Sequence, residues 1–163
     1  MNKRSDNFQF VPFIILLAIN VAIGFVTSLF TRPQIAGWYA LLQKPWFNPP
    51  AWIFAPVWTT IYVVMAYAAY RVWKHRDNSV AYKTAVGIYF IQLLLNFFWS
   101  IVFFGMHEIL GALVVILILL VSIILNMVWF SRFSRTGAWL LLPYLLWVSF
   151  ATVLNLNIYL LNR

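Results

Sequence analysis

The sequence predicts an all-α integral membrane protein, a five-transmembrane-helix bundle with an aromatic, proline-rich first loop. Three observations predict it. Of the 163 residues, 64% are apolar and only 9% charged, more apolar surface than a soluble domain of this length can hide. Five apolar runs, each of about 20 residues and long enough to cross a bilayer core, are separated by short polar stretches. The basic residues stand singly or in small groups between those runs. That is the distribution of topology signals rather than of a phosphate-binding face, so the net charge of +8 does not indicate nucleic acid. With no internal repeat, low-complexity tract or linker, residues 1–163 are expected to form one transmembrane domain.

Lys3 and Arg4 precede the first run, about 11–30. It exceeds the ~7–15 residues of a secretory h-region, so a first transmembrane helix is expected and not a signal peptide. Arg32-Pro33 is expected to end it. The stretch from Trp38 to Trp52, WYALLQKPWFNPPAW, follows. Pro45, Pro49 and Pro50 exclude a regular helix or central strand there, because each lacks an N–H and restrains the residue before it. Trp38, Tyr39, Trp46, Phe47 and Trp52 ride on that stiff backbone, as suits a cap or gate at a water–lipid boundary. An interfacial aromatic belt that only anchors its neighbours accounts for the same composition.

The second helix is expected at about 52–73, with Pro56 in its first turn, where a missing N–H costs little. Arg71, Lys74, His75, Arg76 and Asp77 close it. The third covers about 84–104 and ends at the short turn Gly105-Met106-His107-Glu108. The fourth, about 109–130, is the most purely aliphatic. Arg132, Arg135 and Gly137 separate it from the fifth, about 138–161, which Pro143 is expected to bend. Five spans put the termini on opposite sides. One side carries Lys3, Arg4, Arg71, Lys74, Arg76, Lys83, Arg132 and Arg135, and the other only Arg32, Lys44 and Arg163. The positive-inside rule then puts the N-terminus in the cytoplasm, with the first loop and the C-terminus outside.

There is no cysteine, hence no disulfide, thiolate site or cysteine nucleophile. His75 and His107 fall in opposite loops and the only acids are Asp6, Asp77 and Glu108, so no metal site is expected. No charged residue lies mid-span, which argues against a proton relay or ion pump. Gln92, Asn96 and Ser100 recur every four residues on one face of the third helix. Asn20, Asn126, Asn155 and Asn157 lie in other spans. Each such group is expected to find a partner on another helix or in a wet cavity, as interhelical glue or, for Asn96 and Asn155, as cavity lining. The small pairs Gly24/Ser28 and Ala18/Ala22 would permit close helix packing or a homodimer. Trp58, Tyr62, Trp99, Trp129, Trp139, Tyr144 and Trp147 complete an unusually dense aromatic set. A belt explains Trp129 and Trp139 near span ends but not the deeper Trp99 and Trp147. A flat apolar molecule partitions into lipid unaided, so a pocket must hold it by ring stacking, shape and a few hydrogen bonds.

Certain stretches carry a resemblance: Trp38-Tyr39…Leu42-x-Lys44-Pro45…Pro49-Pro50-x-Trp52, Pro56-Val57-Trp58…Ile61-Tyr62, Gln92…Leu95-Asn96…Trp99, Phe103-Phe104-Gly105, and Pro143-Tyr144-Leu145-x-Trp147…Phe150-Ala151-Thr152-x-Leu154-Asn155. In these, and in their order along nearly the whole chain, the sequence resembles the TspO/MBR family, bacterial relatives of the animal mitochondrial translocator protein (peripheral benzodiazepine receptor). The resemblance implies a multi-pass protein of a bacterial cell membrane, with a pocket beneath the first loop. It implies a tryptophan-rich sensory or binding protein for porphyrins (protoporphyrin IX, haem) in tetrapyrrole homeostasis or stress, with no other cofactor required. Ligand contacts are then expected from Trp38, Tyr39, Lys44, Pro45, Trp52, Tyr62, Asn96, Trp99, Tyr144, Trp147, Ala151 and Asn155. Arg32 and Lys44 would meet the propionates.

Some bacterial members are reported to degrade protoporphyrin IX in light and oxygen, and the two tryptophans implicated match Trp38 and Trp147. In that alternative those two would be catalytic, through indole photo-oxidation chemistry. Porphyrin or sterol transport is a further alternative, though the chain lacks the inverted repeats and broken helices of alternating access. Animal members bind cholesterol and benzodiazepine-type drugs. Here Phe47, Phe97 and Gly111 stand where those usually carry tryptophan, and Leu156 replaces the tyrosine of their cholesterol motif. The resemblance therefore supports porphyrin binding further than it supports those ligands.

Overall fold

The computed structural model describes residues 7–163, so Lys3, Arg4 and Asp6 lie outside the described residues. Five segments are long and apolar enough to cross a membrane. The first is α1 (Phe10–Ala36). It does not stop at Arg32-Pro33 as expected but runs on to Gly37. Pro33 removes only the bond to the Leu29 carbonyl, and so close to the helix end that loss does not break the last turn. A helix of 27 residues is roughly 40 Å long, about 10 Å more than the thickness of a ~30 Å hydrocarbon core.

The first loop begins with one helical turn, α2 (Trp38–Leu41), which corrects the expectation of no helix there. The three prolines restrain only themselves and the residue before each, and Trp38–Leu41 precede them. Pro56 falls in the second turn of α3 (Ala51–Trp73), not the first, and costs the helix its bond to the Trp52 carbonyl. The third span starts earlier than expected, as α4 (Val80–Ser100), because Ser79 caps it: its Oγ accepts from the Tyr82 N–H at 3.1 Å. This helix ends in a π-helical turn, Ile101–Gly105, closed by Met106 N–H to the Ile101 carbonyl at 2.8 Å. The extra residue in that turn brings the consecutive side chains Phe103 and Phe104 both into the interior. The chain then turns through His107, at φ 59°, into α5 (Ile109–Ser131).

The fifth span is not one bent helix but two, α6 (Arg135–Trp139) and α7 (Leu142–Leu161), with the break at Leu140–Leu141. Pro143 lies in the first turn of α7, where its absent N–H would have had no intrahelical partner.

Helix α1 packs along α3, and α4 along α5. Small residues let the backbones close up. A Cβ on Gly24 would fall 2.5 Å from Cε2 of Tyr62, and one on Gly137 would fall 3.1 Å from the Ala68 carbonyl oxygen. Gly24 therefore serves the α1–α3 contact within one chain. Asn20, fully buried, donates to the Tyr89 hydroxyl at 2.7 Å and to the Leu16 carbonyl at 2.8 Å, tying α1 to α4. The expectation that each amide finds a partner on another helix or in a wet cavity fails for Asn157 and, among the described residues, for Gln92, and is met in part by Asn126. Asn157 donates to Val153 of its own helix. Asn126 donates to the Ala85 carbonyl on α4 at 3.3 Å, but its Oδ1 has no partner among the described residues. Both amide atoms of Gln92 lack one too.

The first loop is pinned over a second apolar cluster that contains Tyr39, Phe103, Phe104, Leu154 and Ile158. The Asn162 amide pairs with the Gln43 backbone, donating to its carbonyl at 2.8 Å and accepting from its N–H at 3.0 Å. The far end of α7 is thereby joined to the loop.

Candidate functional site

A cavity of about 350 Å³ lies between the C-terminal half of α1 and the N-terminal half of α3, floored by α4, the π turn and α7. Its two long walls differ in kind. From α3 come Phe54, Trp58 and Tyr62, one every four residues and hence on one helical face. The Tyr62 ring stacks on Trp58 at 5.7 Å, and Phe54 meets Trp147 edge-on at 5.9 Å. From α1 come Gly24, Thr27, Ser28 and Thr31, also on one face. The hydroxyls of Ser28 and Thr31 bond back to the Phe25 and Thr27 carbonyls, so they satisfy themselves locally. Val21, Phe25, Arg32 and Ile35 also line it from α1, so the result is a slot with aromatic rings on the α3 side and, on the α1 side, a run of small side chains flanked by larger ones.

The floor is held by hydrogen bonds running between helices. The Tyr62 hydroxyl donates to Asn96 Oδ1 at 2.9 Å, and Asn96 Nδ2 donates to the Tyr144 hydroxyl at 3.2 Å. Trp99 Nε1–H donates to Asn155 Oδ1 at 3.2 Å, while Asn155 Nδ2 donates to the Ile109 carbonyl at 3.0 Å. These bonds fix the planes of Tyr62 and Trp99. Ala151, one turn beyond Trp147 on α7, leaves open the space that a larger residue would fill.

Six of the twelve ligand contacts expected from the sequence line this cavity, Tyr39, Tyr62, Asn96, Trp99, Trp147 and Ala151, as does Arg32. Tyr144 and Asn155 stand one hydrogen bond behind it. The other four are placed elsewhere. Trp38 is separated from the cavity by Phe103, whose ring stacks on Trp99 at 5.4 Å and meets Trp38 at 5.5 Å; Trp38 itself stacks on His107 at 4.3 Å. Trp147 thus lines the cavity and Trp38 does not. Trp52 is 72% exposed and is not in the lining. Lys44 is drawn onto its own loop, donating to the Leu42 carbonyl at 2.7 Å and the Ala40 carbonyl at 3.2 Å, 5.0 Å from the Tyr39 ring centre. Pro45 shapes the turn in which Asn48 N–H donates to its carbonyl.

Sequence reading missed Phe54, Gly24, Thr27 and Phe104 as lining residues. The four-residue spacing of Phe54, Trp58 and Tyr62 was a legible signal. The small face of α1 was legible only as packing.

Tyr39 is the one loop residue in the lining. Burial pushes its phenol up to about 12 from an ordinary value of 10.0, only partly opposed by the bond its hydroxyl donates to Asn48 Oδ1 at 2.7 Å. The lining holds no carboxylate, imidazole or thiol. It offers ring faces, hydroxyls, one amide and the guanidinium of Arg32, the chemistry of holding a flat apolar molecule rather than of moving protons.

Comparison with known proteins agrees with this architecture. The TspO/MBR family model matches residues 15–161. The chain is 42% identical to the tryptophan-rich protein TspO of Chlorobaculum tepidum, over 96% of this chain and 99% of that one. It is 43% identical to the tryptophan-rich protein TspO of Archaeoglobus fulgidus, over 90% and 94%, and 39% identical to the translocator protein of Homo sapiens, over 80% and 78%. Five membrane-crossing segments and a match running almost end to end lead to one conclusion: this chain belongs to the TspO/MBR family.

Proposed function

We propose that this protein is a membrane-embedded receptor for porphyrins and related flat hydrophobic ligands, held in the slot between α1 and α3 beneath the first loop. The observation that carries this reading is the pairing of an aromatic wall, Phe54, Trp58 and Tyr62, with the run of small side chains on α1 across about 350 Å³. That volume lies within the ~300–1,000 Å³ of small-molecule sites, and the slot shape suits a planar ring system. The membrane context supports the same reading, because a ligand already dissolved in lipid gains little from hydrophobic transfer and much from stacking. A sensory or binding role is in keeping with the family, one relative of which is the tryptophan-rich sensory protein of Cereibacter sphaeroides.

The orientation we infer puts the N-terminus in the cytoplasm of a bacterial cell and the first loop outside. Arg71, Lys74, Arg76, Lys83, Arg132 and Arg135 cluster at one end of the bundle, with Arg32, Lys44 and Arg163 at the other. Arg76 and Arg132 lie over Trp73 and Trp129, at 3.7 and 4.0 Å, as interfacial anchors do.

The test is a titration of the purified protein in detergent with protoporphyrin IX in the dark, following tryptophan fluorescence. Saturable one-site quenching is expected in the wild type, with Trp147→Phe several-fold weaker and Ala151→Phe, which fills the slot, abolishing it. Linear quenching indifferent to both substitutions would mean that porphyrin merely partitions into the micelle, and would refute the proposal.

A further inference from the structure

The hydrogen bonds beneath the cavity run on into the bundle and stop short. The Tyr144 hydroxyl accepts from Asn96 Nδ2 at 3.2 Å, but its own proton meets no acceptor among the described residues. Tyr144 is only 2% exposed, so that proton is also sealed from bulk water. One turn before Asn96, on the same face of α4, lies Gln92, 1% exposed, with neither Oε1 nor Nε2 partnered among the described residues. Unpaired buried groups of this kind are rare in folded proteins, because each bears its full desolvation cost.

The register of α4 against α7 brings the two residues to one level. Trp99 is bonded to Asn155, which sets that pair level. Tyr144 lies eleven residues before Asn155, about 16 Å back along α7, whereas Asn96 lies three before Trp99, about 5 Å back along α4. The Tyr144 backbone therefore sits on the Gln92 side of Asn96, and its ring climbs past the level of Gln92 to reach that amide.

We propose that an internal water is bound at this point, accepting the Tyr144 proton and donating to Gln92 Oε1, with its remaining lone pair turned to Gln92 Nε2. Internal waters make about three hydrogen bonds to otherwise unpaired buried groups, and three are on offer here. One oxygen serving both atoms of an amide has a counterpart three residues away, where the Tyr89 hydroxyl accepts from Asn20 Nδ2 at 2.7 Å and donates to Asn20 Oδ1 at 3.0 Å. The water ends the chain that starts at Tyr62 in the cavity wall and passes through Asn96 and Tyr144. Gln92 is then a positioning residue that touches no ligand, and its water site is independent of what the cavity holds.

Two measurements test this. The first is a crystal structure of the full chain, grown from a lipid mesophase without added ligand, at a resolution that shows ordered water. A peak about 2.7–3.2 Å from both Tyr144 Oη and the Gln92 amide is expected. The second is the melting temperature in detergent of Gln92→Met, Tyr144→Phe and the double variant. Gln92→Met keeps the length of the side chain and removes both polar atoms. A bound water predicts a fall of about 2–6 °C, because the Tyr144 proton loses its route to an acceptor, and a double variant that loses less than the sum of the single losses. An amide buried with no partner at all predicts the opposite sign, with Gln92→Met melting above wild type. A higher melting temperature, additive losses, no peak at Gln92, or Tyr144 bonded directly to Gln92 with no water between them would each overturn the proposal.

Discussion

Substituting Gly24 by alanine tests the close approach that shapes the site. In an exposed helix, Gly→Ala stabilises by up to about 1 kcal/mol through backbone entropy. At Gly24 the new methyl would fall 2.5 Å from Cε2 and 2.7 Å from Cδ2 of Tyr62, where ordinary contacts are ~3.5–4.0 Å. Either α1 or the ring must move by about 1 Å. The ring is not free to do so: it stacks on Trp58, and its hydroxyl is bonded to Asn96 at 2.9 Å. Overpacking of this kind costs about 1–3 kcal/mol. Stretching the Tyr62–Asn96 bond adds about 0.6 kcal/mol, and leaves Asn96 Oδ1 without its donor. The sum, less the entropy gain, is a net loss of about 1–3 kcal/mol. Gly87 is the internal control, because a Cβ there meets nothing within 4 Å, and Gly87→Ala should stabilise. Unfolding in mixed micelles titrated with sodium dodecyl sulfate, followed by circular dichroism, reads both variants. Opposite signs are expected, with porphyrin affinity reduced only in Gly24→Ala. If both alanines shift stability in the same direction and by the same amount, the α1–α3 contact does not have the geometry described.

Three further outcomes are expected. The raised Tyr39 phenol means that the folded loop holds its proton more tightly than the unfolded chain, so its contribution is complete below pH 10, fades as pH rises and is lost above about 12. Tyr39→Phe should flatten the fall in stability between pH 10 and 12, and an unchanged slope would exclude Tyr39 as its source. A double-mutant cycle of Asn20→Leu and Tyr89→Phe should give a coupling of about 0.6–1.7 kcal/mol, the range for interhelical hydrogen bonds in membranes; additivity would mean that the two groups do not bond. Trp99→Phe removes the donor to Asn155, and Asn155→Leu removes that bond together with the one to the Ile109 carbonyl, so the double variant should lose less stability than the sum of the two single losses; strict additivity would mean that the two groups do not bond.

The span count, the polar face of α4 and the family text were all legible in the amino-acid order. Apolar run length is a one-dimensional property, and the four-residue spacing of Gln92, Asn96 and Ser100 directly sets a helical face, buried as expected. The proline at 143 was legible as a disturbance, but its effect depended on where a helix began. Once α6 had stopped at Trp139, Pro143 fell into a first turn and cost nothing. Which aromatic residues face the cavity was not legible. In a soluble protein the contrast between apolar and polar faces reveals how a helix is turned. Here lipid and interior are both apolar, so Trp52, outside the lining, and Trp58, within it, carry the same sequence signal. Only the packing of Gly24 against Tyr62, the back-bonded hydroxyls of α1 and the π turn that rotates Phe103 and Phe104 inward decided it. Those features put Phe54, Trp58, Tyr62, Trp99 and Trp147 around one space and left Trp38 and Trp52 outside it. In lipid, the turn of each helix is set by shape and hydrogen bonding between neighbours, and these exist only once the neighbours are in place.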